Sequence, residues 1–137
     1  SSDGAILAIT KALKNSNLAI TDIGYINLHG TGTKLNDKAE INAVNTVFKQ
    51  VVGQIIANST KSITGHLLGT AGSIEFLISM LALLHNTIPP AMNIVQLDPD
   101  IEFQVNCGAP VSKELKHVLT NAFGFGGNNI AMILSKI

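Results

Sequence analysis

The segment 73–84 constrains the fold most, because apolar side chains cover nearly every side of the helix that it predicts. Such a helix is typical of the centre of a protein rather than its surface. The whole chain of 137 residues is 46% apolar but only 13% charged, whereas an average soluble domain is about 25% charged. We therefore expect a chain that buries more than one face and packs against a partner or a larger body.

Apolar periodicity along the chain alternates between the helical and the strand repeat. Helices are predicted over 3–15, from about 36 to 51, and over 73–84, and strands over 23–28, 55–57, 102–105, 118–123 and 129–134. The region 86–99 contains three prolines and is predicted to be a surface connection. This order predicts one α/β domain over residues 1–137, with helices on both faces of a mixed sheet.

Composition excludes several classes of protein. The formal net charge of zero argues against a basic nucleic-acid-binding domain. The single cysteine, Cys107, excludes an internal disulfide framework and a zinc site with several cysteines, and we expect it to be a small buried side chain. The longest apolar run, 76–84, is shorter than the roughly 20 residues of a membrane-spanning helix. We therefore expect a cytoplasmic protein with neither a nucleic acid nor a membrane as partner.

Most of the twelve glycines lie in three short segments, 29–33, 65–72 and 124–127. Each segment lies at the predicted end of a strand or start of a helix, where the sites of α/β sheets form. Glycine there permits tight turns and a close approach of the backbone to a ligand. The last segment has neither the spacing nor the following helix of a dinucleotide-binding loop, so that class of site is excluded.

His29, His66 and Lys61 lie in or near these segments, and each has a structural and a chemical interpretation. His29 could be a hydrogen-bonded turn residue, His66 a helix cap and Lys61 a solvated charge. A metal site of both histidines with Asp37 has no supporting ligand spacing. Alternatively, two neutral imidazoles could each donate an N–H to one developing oxyanion, with a lysine favouring their neutral form. That arrangement suits an enolate, but it contains no nucleophile.

Three motifs occur together along the chain. They are HGTGT at 29–33, STKSITGHLLGTAG at 59–72 and NAFGFGGNN at 121–129, accompanied by NDKAE at 36–40 and IPPAMN at 88–93. In this order they resemble the C-terminal half of a β-ketoacyl-acyl carrier protein synthase of the elongating, bacterial type II kind. The resemblance covers essentially the whole chain. It implies the C-terminal half of a thiolase-like fold, with a mixed five-stranded sheet between helices.

The resemblance also implies an activity and the residues that carry it. Such enzymes elongate fatty acids by a decarboxylative Claisen condensation of malonyl-acyl carrier protein with an acyl-enzyme thioester. His29 and His66 match the two catalytic histidines that stabilise the enolate. Lys61 matches an active-site lysine that supports the site electrostatically, and Glu75 matches its salt-bridge partner.

Further positions match residues around the substrate. Thr31 and Thr33 match hydroxyls that bind the phosphopantetheine arm, and Phe125 matches a gating phenylalanine whose backbone N–H helps to form the acyl oxyanion hole. Asp37 and Glu40 match an acidic pair near the site and are assigned support roles. No metal and no bound cofactor are implied, since the substrates are carried on the phosphopantetheine of acyl carrier protein.

One departure from the family pattern matters most. The family nucleophile is a cysteine of the N-terminal half, and Cys107 does not lie in its motif. The chain also begins without a methionine, so we expect a fragment or a separate domain that is inactive alone. The implied partners are the N-terminal half, acyl carrier protein and a second subunit of a homodimer. Two alternatives stay open: a polyketide ketosynthase domain, and a non-catalytic ketosynthase-like subunit.

Overall fold

The computed structural model describes residues 2–124 and 127–137. Four helices form: α1 (Ser2–Ser16), α2 (Lys34–Val47), the single turn α3 (Lys61–Thr64) and α4 (Ala71–His85). Six strands form: β1 (Tyr25–Asn27), β2 (Ala57–Asn58), β3 (Thr87–Ile88), β4 (Val111–Ser112), β5 (His117–Phe123) and β6 (Asn129–Ser135). Short 3-10 turns cover 20–22, 52–54 and 68–70.

The main sheet has the order β2-β1-β5-β6 and is mixed, as predicted. Strand β1 runs parallel to both β2 and β5, while β5 and β6 form an antiparallel pair. The carboxyl ends of β1, β2 and β5 therefore meet at one edge, where sites of such sheets form. Strands β3 and β4 form a separate antiparallel pair.

Among residues 2–124 and 127–137 the main sheet has four strands, so the expectation of five is corrected. The segment 102–105 contributes only one parallel bridge, between Gln104 and Ile56, beside the two-residue strand β2. Just before that bridge, the Glu102 N–H donates to the Asn45 side chain on α2 (3.4 Å). This contact holds the start of the segment 102–105 towards α2, and the segment pairs with the edge of the sheet at Gln104 only.

Helices cover both faces of the sheet, as predicted, and each face has its own core. Helices α1 and α2 pack on one face through a cluster that includes Ile26 and Leu119. Helix α4 packs on the other face through a cluster that includes Tyr25 and Val118. The adjacent residues Val118 and Leu119 point to opposite faces because side chains alternate along a strand.

Helix α4 is not buried on every side within this chain, contrary to the expectation for the segment 73–84. Ala82 and Leu83 are buried against the sheet, whereas four large side chains are exposed: Phe76, Leu77, Leu81 and Leu84. Ile130 and Met132 on the edge strand β6 are exposed as well. We call these six exposed side chains the open apolar face. The low charge content of the chain thus reflects apolar surface that stays exposed, as well as its two buried cores.

Among the described residues, one segment, 68–85, is long and apolar enough to cross a membrane. The sequence prediction considered the longest apolar run, 76–84, and so did not identify this longer segment. Core helices meet the same test of length and composition, and α4 packs on β5 in this structure. Cys107 was expected to be buried, but it is exposed, and its backbone forms an isolated bridge with Ala91.

Candidate active site

Glu40, a fully buried residue of α2, accepts hydrogen bonds from the turn that follows β1. The backbone N–H groups of His29 and Gly30 each donate to one of its carboxylate oxygens, both at 2.8 Å. The Asn121 amide of β5 donates to the same carboxylate at 3.1 Å. Burial raises the pKa of Glu40, and these three donors oppose that shift by stabilising the charged form.

The sequence predicted a helix from about residue 36, where Asp37 and Glu40 have the spacing of a capping box, but that cap does not form. Helix α2 begins at Lys34, and its N-cap Thr33 makes no side-chain cap. The two carboxylates instead bind the preceding loop, with Asp37 accepting the Gly32 N–H at 3.2 Å. Burial raises the pKa of Asp37, and the hydrogen bonds to its carboxylate oppose this. Both residues shape the loop that carries His29.

Contacts between Gly30 and Ser59 connect the loop 29–33 with the segment 59–72. Gly30 has a φ of +42°, and a Cβ there would lie 2.5 Å from the Cβ of Ser59. The Ser59 hydroxyl lies 3.3 Å from the Gly30 carbonyl and accepts the Lys61 N–H at 3.2 Å. Only glycine fits at position 30, since its conformation is left-handed and the space is occupied.

The Lys61 side chain is buried and faces three acceptors. Its ammonium group contacts a Glu75 carboxylate oxygen, the His29 carbonyl oxygen and, at 3.2 Å, the His29 Nδ1. An ammonium group has three N–H donors, so each acceptor can receive one. Burial lowers the pKa of Lys61 to about 8, against the opposing charges of Glu40 and Asp37. The interpretation of Lys61 as a solvated charge is therefore wrong.

His29 is buried, and its environment selects one protonation state. Burial lowers its pKa, and the positive charge of Lys61 lowers it further, while the Glu40 and Asp37 carboxylates oppose both effects. The imidazole is therefore neutral near pH 7. Because the ammonium donates to Nδ1, the ring proton lies on Nε2, which becomes a donor.

His66 reaches the same tautomer by a different route. Its Nδ1 accepts the backbone N–H of Leu68 at 3.1 Å, so the neutral ring carries its proton on Nε2. This contact lies at the start of the 3-10 turn 68–70, but neither that turn nor α4 has a side-chain cap, so the interpretation of His66 as a helix cap is wrong. The ring centroids of His29 and His66 lie 5.8 Å apart at an interplanar angle of 86°. His66 is exposed, whereas His29 is buried.

His66 lines an open cleft of about 830 Å³, and the neighbours of His29 in sequence, Leu28 and Gly30, line it too. Lys61 and His66 line one part of it, and the loop residues Thr31 and Gly32 line another. The hydroxyls of Thr31 and Thr33 lie 2.9 Å apart and hydrogen-bond to each other. The segment 93–98 lines the cleft as well. The cleft therefore combines an apolar body with a few polar groups, as small-molecule sites do.

The structure brings most of the predicted site residues together. His29, His66, Lys61 and Glu75 form one contact network, and Glu40, Asp37 and the two threonines surround its loop. Phe125 lies outside the described residues. Among residues 2–124 and 127–137, no group of three or more His, Cys, Asp or Glu could hold a metal ion.

Sequence reasoning assigned no role to three residues that contact the network: Ser59, Asn121 and Phe123. The Phe123 ring lies edge-on to His29, with centroids 6.1 Å apart. Asn121 donates to Glu40, and Ser59 connects the loops. All three lie within the motifs at 59–72 and 121–129, and their place in those motifs is the sequence signal that could have identified them.

Fold and site together define an α/β domain that presents two neutral histidines as donors beside a cleft. The chain belongs to the β-ketoacyl synthase C-terminal domain family, whose model matches residues 1–95. It is 36% identical over 139 residues to 3-oxoacyl-[acyl-carrier-protein] synthase 2 of Vibrio harveyi, covering 98% of this chain and 32% of that protein. It is 40% identical over 146 residues to 3-oxoacyl-[acyl-carrier-protein] synthase 1 of Buchnera aphidicola subsp. Baizongia pistaciae, covering 99% of this chain and 35% of that protein. The chain thus spans about a third of the length of the curated relatives it matches.

Solved structures show the same thiolase-like fold over the whole chain. The ishigamide ketosynthase/chain length factor matches with a TM-score of 0.93 at 34% identity, over 100% of this chain and 34% of that one. A type II polyketide ketosynthase solved with its acyl carrier protein (AntDE:AntF) matches with a TM-score of 0.93 at 29% identity, over 100% of this chain and 34% of that one.

Proposed function

We propose that this chain supplies the histidine half of a β-ketoacyl-acyl carrier protein synthase that elongates fatty acids. The observation that carries the proposal is the pair of neutral imidazoles whose Nδ1 atoms are both occupied by fixed donors. Each ring then keeps an Nε2–H for one shared oxyanion. Sequence relatives named as 3-oxoacyl-acyl carrier protein synthases support the same assignment.

In the proposed reaction, malonyl-acyl carrier protein loses carbon dioxide. The carbon–carboxylate bond breaks, and its electron pair moves into the thioester, giving an enolate whose oxygen accepts the Nε2–H groups of His29 and His66. The enolate carbon then attacks the carbonyl carbon of an acyl-enzyme thioester and forms a carbon–carbon bond. The enzyme thiolate leaves. Preorganised donors of this kind are each worth about 10²- to 10³-fold in kcat.

Lys61 and Glu75 act behind the histidines in this proposal. Lys61 fixes the tautomer and the position of His29, while Glu75 supplies the counter-charge that keeps the buried ammonium protonated. Glu40 fixes the backbone of the same loop. The Thr31 and Thr33 hydroxyls, at the edge of the cleft, are proposed to bind the phosphopantetheine arm, and Phe125 is proposed to gate the site.

The nucleophile and the partners are proposals as well. We propose that a cysteine of an N-terminal half forms the acyl-enzyme, since this chain spans about a third of its curated relatives. That half would cover the open apolar face. Acyl carrier protein is the proposed substrate carrier, supported by the related ketosynthase solved with one. We further propose a cytoplasmic homodimer that uses no bound cofactor.

The test uses the full-length enzyme that contains this segment. Release of labelled carbon dioxide from malonyl-acyl carrier protein should fall by about 10²- to 10³-fold in His29→Ala and in His66→Ala. His117→Ala is the matched control, because His117 contacts Ser135 at the start of β5, away from the cleft. The isolated chain should form no condensed product, because it contains no acyl-accepting cysteine in the family's motif. Condensation by the isolated chain, or full activity in His29→Ala, would contradict the proposal.

A polyketide ketosynthase or a non-catalytic ketosynthase-like subunit is the second candidate. It is favoured by the structural match to a ketosynthase/chain length factor at 34% identity. Both histidines are present and held as donors, which favours a catalytic chain over a non-catalytic subunit. Products that are fully processed acyl chains would indicate fatty acid elongation. Unreduced poly-β-keto products would indicate the polyketide alternative.

A further inference from the structure

A second cavity, of about 380 Å³, lies at the edge of the main sheet opposite the histidine cleft. It is lined by residues of three segments, 20–24, 51–55 and 113–117, which lead into β1, β2 and β5. Because these three strands are parallel, their amino ends meet at one edge of the sheet and the cleft lies at the other. Among the described residues, none lines both spaces. We call the second space the amino-edge cavity.

The inner wall of the amino-edge cavity is apolar and belongs to the core. Ile23 and Ile55 line it and are each only 3% exposed. Ile20 and Val51 also line it and are half-buried. All four pack in the core cluster that joins the sheet to α1 and α2. This wall is therefore a fixed surface against which an apolar body can be removed from water.

Lys113 places a half-buried positive charge beside that wall. Its ammonium group donates to the Gly24 carbonyl oxygen at 2.9 Å, and the described part of the chain offers it no second acceptor. An ammonium group has three N–H donors, so two stay available. The ion pairs found among residues 2–124 and 127–137 involve only His29, Lys61 and Glu75. Lys113 thus has no carboxylate partner there, and burial without one lowers its pKa.

The other charges of the cavity lie at its exposed rim. Asp22 and Glu114 are both exposed, and the Asp22 carboxylate already accepts the Ala19 N–H at 2.8 Å. Lys116 is exposed at the same rim and offsets one of these acids. Exposed charges are screened by water and salt much more than buried ones. The half-buried ammonium of Lys113 therefore dominates the electrostatics of the inner part of the cavity.

We propose that the amino-edge cavity binds a small organic anion, a carboxylate attached to a compact apolar body. The carboxylate accepts the free N–H groups of Lys113, and the apolar body lies against Ile23 and Ile55. A hydrogen bond between two charged groups is roughly twice as strong as a neutral one, and this one also supplies the missing counter-charge. The cavity volume is near the lower end of the range of small-molecule sites, about 300–1,000 Å³, so the body is compact. This inference does not depend on the proposed function.

The experiment measures binding to the full-length enzyme that contains this segment, by titration calorimetry with three probes: benzoate, benzyl alcohol and inorganic phosphate. Benzoate carries both the carboxylate and the apolar body, benzyl alcohol lacks the charge, and phosphate lacks the apolar body. Benzoate is also unlike a straight acyl chain, so it does not imitate the proposed substrate. Lys113→Met removes the charge and keeps the volume of the stem. Lys11→Met makes the same change at an exposed position of α1 and is the matched control.

Benzoate should bind the parent enzyme at least about tenfold more tightly than either benzyl alcohol or phosphate, since only benzoate uses both the cation and the apolar wall. Lys113→Met should weaken benzoate binding at least about tenfold, to the level of benzyl alcohol, and Lys11→Met should leave it unchanged. Thr21→Phe adds a ring at an exposed position of the cavity wall and should also weaken benzoate binding while Lys113 is intact. That variant keeps the test valid if Lys113→Met does not fold.

Three results would overturn the inference. The first is a parent enzyme that does not bind benzoate. The second is parental affinity for benzoate in either folded variant, Lys113→Met or Thr21→Phe, because benzoate would then bind elsewhere, for example in the cleft. The third is phosphate binding as tight as that of benzoate, because the apolar wall would then contribute nothing. Circular dichroism of each variant shows whether it is folded.

Discussion

Replacing Lys61 by methionine separates the stability of the buried ion pair from its role in catalysis. The side chains of Lys61 and Glu75 are only 7% and 4% exposed. Lys61→Met leaves the Glu75 carboxylate buried without its cation, and breaking such a pair costs about 3–5 kcal/mol of unfolding free energy. Replacing both members by apolar side chains is often neutral or stabilising. Lys61→Met/Glu75→Leu should therefore recover most of the lost stability.

Activity should not recover in the double variant. His29 Nδ1 has lost its fixed donor in both variants, so the ring is free to place its proton on either nitrogen. We expect decarboxylation to stay at least 10²-fold below the parent, the effect of losing one preorganised oxyanion donor.

Urea unfolding and carbon dioxide release, measured on the same full-length preparations, test both expectations. A double variant as unstable as Lys61→Met would refute the ion-pair assignment. A double variant with parental activity would refute the role of Lys61 in fixing His29. Met is chosen over Ala because it keeps most of the volume of the lysine stem, so that cavity formation contributes little.

Four further outcomes follow from the same contacts. Glu40→Gln should cost about 1–3 kcal/mol, because the amide cannot accept both backbone N–H groups; urea unfolding measures this. Gly30→Ala should cost about 1–3 kcal/mol through strain and overlap, whereas Gly69→Ala, with nothing within 4 Å, should stay within about 0.5 kcal/mol in the same assay. Decarboxylation should fall as the pH rises through about 8, because Lys61 then loses one of the three N–H donors that it needs; a pH–rate profile that stays flat from 7 to 9.5 would contradict this. The isolated chain should self-associate through its open apolar face, and Leu81→Lys should reduce the association seen by light scattering; a monomeric parent chain at high concentration would contradict it.

Periodicity predicted the long elements well, because each of them buries a continuous face. Strands β5 and β6 were predicted to within a residue, and α1 and α4 to within about two. The segment 102–105 failed because its strand-like pattern reflects Phe103 packing into the core, while its backbone pairs with β2 only at Gln104. Alternation reports which side chains are buried, and it does not report whether a neighbouring strand is long enough to pair.

The start of α2 shows a different limit. Asp37 and Glu40 have the spacing of a capping pair, and local sequence offers no reason to prefer another partner. The loop before the helix folds back over it, so both carboxylates find backbone N–H groups of residues 29–32 instead. Capping rules describe one helix end in isolation. Here the folded loop offers other backbone N–H groups that also need an acceptor, and the two carboxylates bind those instead.

His66 shows why the structural and chemical interpretations of a residue need not compete. Its Nδ1 accepts the backbone N–H of Leu68, which orders the loop, and that same contact leaves Nε2 as the only protonated nitrogen of the neutral ring. His29 obtains the same state from a buried lysine. One donor is thus held by the backbone and remains exposed, while the other is held by a charge and is buried. Mutations at Lys61 should therefore affect His29 alone, and the second donor should keep its tautomer as long as the turn at 68–70 is intact.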